Sequence, residues 1–248
     1  IDTNGKVIHS EYTNQEKSEC DAYMRPQLKR SVGAHRYQWN MKVGSFDCIK
    51  ELMATSRNLS AYDAPPGKYK VKFSVGDFEQ IQDFEIKIDP RILSSIPNAE
   101  NAYAERYEIS KSILSGATEM SEGVRDLRKV KQQLDFILTV IYDKKLISDG
   151  NDLNKNLDDW IAKILQKEIR TQQHNYQFEA RLLIKYKNFL NAISKGNLPV
   201  TQGMKDVSRD YLLKWNGYSK ELQTIKEQDV KNYNLLLKQV GLPEIYWP

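Results

Sequence analysis

The period of hydrophobic alternation in this chain changes once, at Asp89-Pro90-Arg91, and that change limits the folds open to it. Before it, apolar residues recur at every second position. Tyr69, Val71, Phe73 and Val75 alternate with Lys68, Lys70, Lys72 and Ser74, and Phe84, Ile86 and Ile88 alternate with Glu85, Lys87 and Asp89. A two-residue period sends alternate side chains to opposite faces of a strand, so one face is expected to be buried and the other wet. Pro65-Pro66-Gly67 cannot continue a central strand and reads as a turn, and Gly76-Asp77 reads as the next. After the seam, Ile113, Ala117, Met120, Val124, Leu127, Leu134, Ile137 and Ile141 follow spacings of three and four, the period of an amphipathic helix.

Other strand signals also precede the seam. Asp2-Thr3-Asn4-Gly5-Lys6 is a turn in which Asn-Gly supplies positive φ, and residues 7–13 suit a strand. Residues 14–31 are polar and read as loop. In His35-Arg36-Tyr37-Gln38-Trp39-Asn40-Met41 strict alternation again predicts a strand, and residues 43–63 form a long insertion with a short helix near 46–53. That makes four visible strands, where a stable sandwich takes about seven. A chain that opens at Ile1 on a hairpin turn is expected to lack N-terminal strands. The sheet should then expose an edge that a missing segment or a partner chain completes.

Beyond the seam, the spacing predicts one long helix from 97 to about 145, with Pro97 in its first turn. Asp149-Gly150-Asn151-Asp152 reads as a turn and cap. A second helix carries Leu153, Leu157, Trp160, Ile161, Ile164 and Leu165, and a third carries Phe178, Leu182, Tyr186, Phe189 and Ile193. Gly196-Asn197-Leu198-Pro199 breaks the third. Thr201 caps a fourth, which carries Tyr211, Trp215, Tyr218, Leu222 and Ile225, then Tyr233, Leu236 and Leu237, and ends at Gly241-Leu242-Pro243. Four helices with short connections imply an antiparallel bundle. The expected fold class is α+β: a partial Ig-like antiparallel β-sandwich over residues 1–91, then a helical bundle over 92–248.

Charge points away from nucleic acid. The chain carries 37 basic and 33 acidic residues, and the portion up to Arg91 carries 14 against 13, so neither half forms the basic stripe that displaces counterions. No apolar run approaches the roughly 20 residues of a membrane span; the longest, residues 136–142, lies between charges. Cys20 and Cys48 are equally compatible with a disulfide and with two free thiols. Asn58-Leu59-Ser60 fits a glycosylation sequon, which in a polar loop is most simply accidental.

No reactive constellation emerges, and no catalytic, cofactor-binding or metal-binding residue is assigned. His9, His35 and His174 lack ligand spacing, although His35 would meet His9 if their strands paired. There is no CxxC, HExxH or phosphate-cradling glycine loop. Asp158 and Asp159 beside Trp160 resemble paired carboxylates, yet neighbouring helix residues point about 100° apart and do not converge on one substrate. Arg125, Arg128, Lys129 and Lys131 read as the wet face of the long helix. Tyr246 and Trp247 lie beyond the last helix stop and either dock back on the domain or meet a partner.

Several of these stretches resemble a known family. Asn4-Gly5-Lys6-Val7 resembles the hairpin of a flagellar-hook-capping-type Ig-like domain. His35-Arg36-Tyr37-Gln38-Trp39-Asn40 resembles that domain's arginine-aromatic-tryptophan-aspartate strand, with Asn40 in the aspartate position. Pro65-Pro66-Gly67-Lys68-Tyr69-Lys70-Val71 resembles its Pro-Gly-Thr-Tyr-x-Val motif. Followed by Asp-Pro-Arg and a helical segment ending in Asn234-Leu235-Leu236-Leu237-Lys238-Gln239-Val240-Gly241-Leu242-Pro243, this is similar to the C-terminal part of sortilin-like bacterial proteins. The resemblance implies an N-terminal β-propeller with Asp-box (BNR) repeats in the parent protein, export to the periplasm, outer membrane or exterior, and often a glycosyl hydrolase label. The cysteine-bearing insertion at 43–63 departs from that pattern.

The leading expectation is a non-catalytic accessory module that mediates assembly or partner binding, without a cofactor. Its expected partner is a segment or chain that completes the sheet, or that propeller. The alternatives are part of a glycosyl hydrolase whose active site lies in the propeller, and a helical adaptor.

Overall fold

The computed structural model describes residues 1–13, 28, 31–47, 49, 52, 60–168, 171, 173–174, 177–196 and 198–248. Cys20, Cys48, Asn58, residues 14–27 of the polar stretch, and residues 48, 50–51 and 53–59 of the 43–63 insertion, with half of its expected short helix, therefore lie outside the described residues. The fold is mixed. Two separate two-stranded antiparallel sheets are followed by helices. β1 (Lys42–Ser45) pairs with β2 (Ser60–Asp63), and β3 (Gly67–Val75) pairs with β4 (Phe78–Ile86) across the Gly76-Asp77 turn.

Two expected strands are not strands. Residues 35–41 make no ladder because the chain turns at their end: Met41 has φ 59°, and the Asn40 side chain accepts a bond from the Lys42 N–H at 3.0 Å. The Trp39 indole donates to the Lys42 carbonyl at 3.1 Å, and pairing begins only at Lys42. Residues 7–13 have no ladder partner among the described residues; His9 instead packs its ring against Trp39, with centroids 5.8 Å apart. The β1–β2 pair lies on the helices, with Tyr62 edge-on to Tyr107 at 5.5 Å. Gly44 (φ 67°) sits where a Cβ would lie 2.4 Å from Leu114.

Asp89-Pro90-Arg91 ends the β region and also starts a helix. The Asp89 carboxylate accepts from the Arg91 N–H at 2.9 Å and caps α1 (Pro90–Ser95), with proline in its first turn. The long helix then starts at Ala99 rather than 97, because Asn98 adopts φ 56°. It runs as α2 (Ala99–Val140), about 63 Å at 1.5 Å per residue. It stops short of 145 because Asp143 caps α3 (Lys144–Ile164), accepting from the Leu146 N–H at 2.9 Å. α4 (Leu182–Lys195) and α5 (Gln202–Thr224) follow. Thr201 caps α5 by accepting from the Met204 N–H at 3.3 Å. One π-helical turn, Ile225–Val230, joins α5 to α6 (Lys231–Gln239). Its wider turn, closed by i→i+5 bonds, lets Ile225 and Val230, five residues apart, both face the core.

The bundle has three rods rather than four antiparallel helices. Lys131 meets Asp158, and Gly123 meets Trp160, so α3 runs antiparallel to the C-terminal half of α2. Arg106 reaches Gly196, and Gly116 meets Tyr186, so α4 runs antiparallel to its N-terminal half. α3 and α4 therefore follow one another down the same flank. α5 climbs back parallel to α2, with Lys205 at Glu105, Trp215 at Glu119 and Leu222 at Gly123. The hydrophobic core is continuous across the seam: Val43, Phe46, Ala61 and Tyr62 belong to the same buried cluster as Ile113, Met120, Tyr186 and Leu190.

Asp149-Gly150-Asn151-Asp152 is not a turn but lies inside α3. Its glycine serves close packing: a Cβ at Gly150 would lie 2.5 Å from the Tyr233 hydroxyl and 2.7 Å from Leu138. Gly150→Ala is expected to cost about 1–2 kcal/mol, because overpacking outweighs the roughly 1 kcal/mol gain in helix propensity. Urea denaturation of the variant checks this; a stabilised Gly150→Ala protein would mean that Tyr233 yields freely.

Candidate functional site

The β3–β4 ribbon is exposed along most of its length. Directly opposed residues of an antiparallel pair share a face. One face therefore carries Tyr69 with Phe84, Val71 with Gln82, Phe73 with Gln80 and Val75 with Phe78. Its base is covered. Tyr69 is buried, stacks on Phe84 at 5.6 Å and donates its hydroxyl proton to the Pro65 carbonyl at 2.6 Å. Phe84 in turn meets Trp39 edge-on at 6.1 Å. Burial, with the nearby Tyr107 and Asp2, pushes the Tyr69 phenol up to about 12. Beyond this base the cover ends: Val71 is 51 % exposed, Phe73 54 %, Val75 61 % and Phe78 57 %. The buried face expected from the alternation is thus buried only at Tyr69.

Apart from Ile81, which lies opposite Lys72 and is 52 % exposed, the opposite face is polar and internally compensated. Lys72 pairs with Glu79 at 2.7 Å, and Lys70 with Asp83 at 3.8 Å. Such exposed pairs stabilise by at most about 1 kcal/mol each, but they keep that face soluble. The apolar column lies on β3, while β4 contributes Gln80 and Gln82 beside it. The free edge next to that column is the outer edge of β3. Ile1 already sits on it: the Ile1 amino group donates to the Lys70 carbonyl, and the Lys70 N–H donates to the Ile1 carbonyl, both at 2.9 Å.

The polar groups singled out in the sequence do not converge. Asp158 is bound by two ammonium groups, Lys131 at 2.8 Å and Lys167 at 2.6 Å. Burial would raise its carboxyl, but the bonds and charges of Lys131 and Lys167 hold it below the usual carboxylate range. Asp159 turns away to Lys155 at 2.6 Å. Trp160 lies in the core and donates its indole N–H to the Tyr218 carbonyl at 2.8 Å. The open recess beside it, about 350 Å³ between α3 and the π turn, is lined by Asp159, Lys163, Glu221 and Asp229, with Lys163 and Glu221 paired at 2.5 Å. His9 Nε2 lies 3.0 Å from the Tyr37 hydroxyl and 3.3 Å from Glu11. His35 contacts the Ser31 carbonyl, and His174 the Glu168 carbonyl. Among the described residues, no group of three His, Cys, Asp or Glu side chains is placed to hold a metal ion. No helix among them is long and apolar enough to cross a membrane.

The C-terminal tail is held by two side-chain amides acting as strand mimics. Asn234 donates to the Ile245 carbonyl at 2.9 Å and accepts from its N–H at 2.8 Å. Gln133 does the same for Tyr246, at 2.8 and 2.9 Å. Ile245 is buried and Trp247 packs against the core beneath Lys226, while the Tyr246 side chain is 71 % exposed. Neither clamp was legible in the spacing, since Asn234 lies 11 residues and Gln133 lies 113 residues from the tail residue it holds.

Comparisons with protein-family models, curated proteins and solved structures find no match to this chain.

Proposed function

We propose that this chain is a non-catalytic interaction module whose β3–β4 ribbon is completed by another polypeptide segment. One observation carries the reading: the ribbon's apolar face is more than half exposed at four consecutive apolar positions, beside an open backbone edge. A two-stranded hairpin is marginal in water by itself, and contiguous exposed apolar surface beside an unpaired edge marks a docking site. In this reading, residues 1–91 are an Ig-like unit short of strands. The parent is an exported or cell-surface bacterial protein, a placement supported by the sequence resemblance alone.

The paired variant Val71→Ser with Phe73→Ser tests it. Those side chains contribute little to the chain's own core, so unfolding free energy should move by no more than about 0.5 kcal/mol. Binding of an apolar fluorescent dye such as anilinonaphthalene sulfonate should fall several-fold. Undiminished dye binding, or turnover of a glycan panel by the unmodified chain, would overturn the proposal.

A further inference from the structure

The two bonds between Ile1 and Lys70 define more than a contact. Reciprocal N–H to carbonyl bonding between one pair of residues occurs only in an antiparallel ladder. Because the Lys70 backbone bonds outward to Ile1, it faces away from β4. Bonding direction alternates along a strand, so Lys72 and Ser74 also face outward. Among the described residues, the backbone N–H groups of Lys72 and Ser74 have no partner.

We infer that the outer edge of β3 takes an antiparallel strand that leads directly into Ile1, in the register that the Ile1–Lys70 pair sets. This deepens, and rests on, the interaction-module reading above. The register fixes the chemistry. The residue joined to Ile1 falls opposite Val71, and the third and fifth residues back fall opposite Phe73 and Val75; all three share the apolar face and are apolar. The second and fourth residues back fall opposite Lys72 and Ser74, on the polar face. An acidic residue suits the place beside Lys72. β3 then becomes a central strand, and its apolar column lies between two neighbours instead of along an edge.

Two other observations favour this occupant over a second copy of the chain. Ile1 already holds the edge at Lys70, so pairing two β3 strands about Phe73 would leave only Lys72 and Ser74 to bond. A strand joined to Ile1 instead extends a ladder already begun. Its attachment also removes the translational cost of bringing in a separate chain.

The full chain carrying the extension Val-Thr-Val-Glu-Val ahead of Ile1 tests this, against an extension shifted by one residue, Thr-Val-Glu-Val-Thr. Hydrogen exchange at the Lys72 and Ser74 amides should slow at least about tenfold with the first and not with the second. Ser74→Pro removes an outward N–H while leaving the β3–β4 ladder intact, and should abolish the protection that the extension gives Lys72. Equal protection from both extensions, or from neither, would overturn the inference. So would Lys72 protection in the unextended chain that grows with concentration alongside a dimer mass, which would place a second copy on the edge. Dye binding to the unextended chain separates the two proposals. Dye bound through Val71 and Phe73 without register-specific protection would refute the strand and leave the interaction surface standing. No dye binding through those residues would refute both.

Discussion

Trp160→Ala should destabilise the protein by about 3–5 kcal/mol, among the largest effects of any single substitution in the chain. Trp160 is 1 % exposed and lies where all three rods meet. Its ring approaches the space above Gly123 of α2, where a Cβ would lie 3.0 Å away, and packs edge-on to Trp215 of α5 at 6.4 Å. Truncation opens a cavity that the neighbours cannot fill, since the helices on both sides are held by other contacts. It also removes the indole bond to the Tyr218 carbonyl. Trp160→Phe keeps most of the volume and loses the bond, so about 1–2 kcal/mol is expected. Urea denaturation with an unchanged slope would attribute both losses to the native state. A cost below 1 kcal/mol for alanine would mean that α2, α3 and α5 do not share one core at this level.

The second large effect is a stability maximum on the alkaline side. Burial lowers the Lys187 ammonium to about 8, from its ordinary 10.5. Between those values the unfolded chain binds more protons than the folded one, so stability rises with pH. Tyrosines act in the opposite sense and at higher pH. Burial, with Tyr107 and Glu108 nearby, raises Tyr62; burial, with Glu119 and Tyr211, raises Tyr186; Tyr69 sits at about 12. An unfolded phenol loses its proton near 10 while these retain theirs, so the folded state then binds more protons and stability falls. By pH 11 the loss reaches at most about 1.4 kcal/mol per fully protected phenol, and solvent screening lowers the total for the three to on the order of 2–3 kcal/mol. Unfolding free energy measured from pH 7 to 11.5 should therefore climb, peak near 10 and drop. Lys187→Met should flatten the climb, and Tyr186→Phe should soften the drop. A monotonic decline from pH 8 would contradict the burial of Lys187.

Much of the helical half was legible in the sequence. The positions from Ile113 to Ile137 recur at helical spacing because one stripe of α2 faces two successive neighbours, α4 and then α3. Thr201 and Gly241 marked real ends because capping is local chemistry, written in a few adjacent residues. Gly150 misled for a physical reason: a glycine that admits a tyrosine ring and a glycine that turns the chain have the same letter. The β half was less legible. Alternation at residues 35–41 was genuine, but Asn40 and Met41 turn the backbone before a ladder can form. At β3 and β4 alternation fixed which residues share a face, and it was silent on whether anything covers that face.

The sequence by itself determined the change of period at Asp89-Pro90-Arg91, the two faces of the β3–β4 ribbon and the apolar stripes of the helices, because each depends on residues within a turn or two of one another. Tertiary structure decided the three-rod course of the bundle, the common core that crosses the seam, the Asn234 and Gln133 clamps on the tail, and the outward edge of β3 with Ile1 bonded to it. Those depend on contacts between residues roughly ten to more than a hundred positions apart, and a contact at that distance is set by packing and by the geometry of closure rather than by local preference.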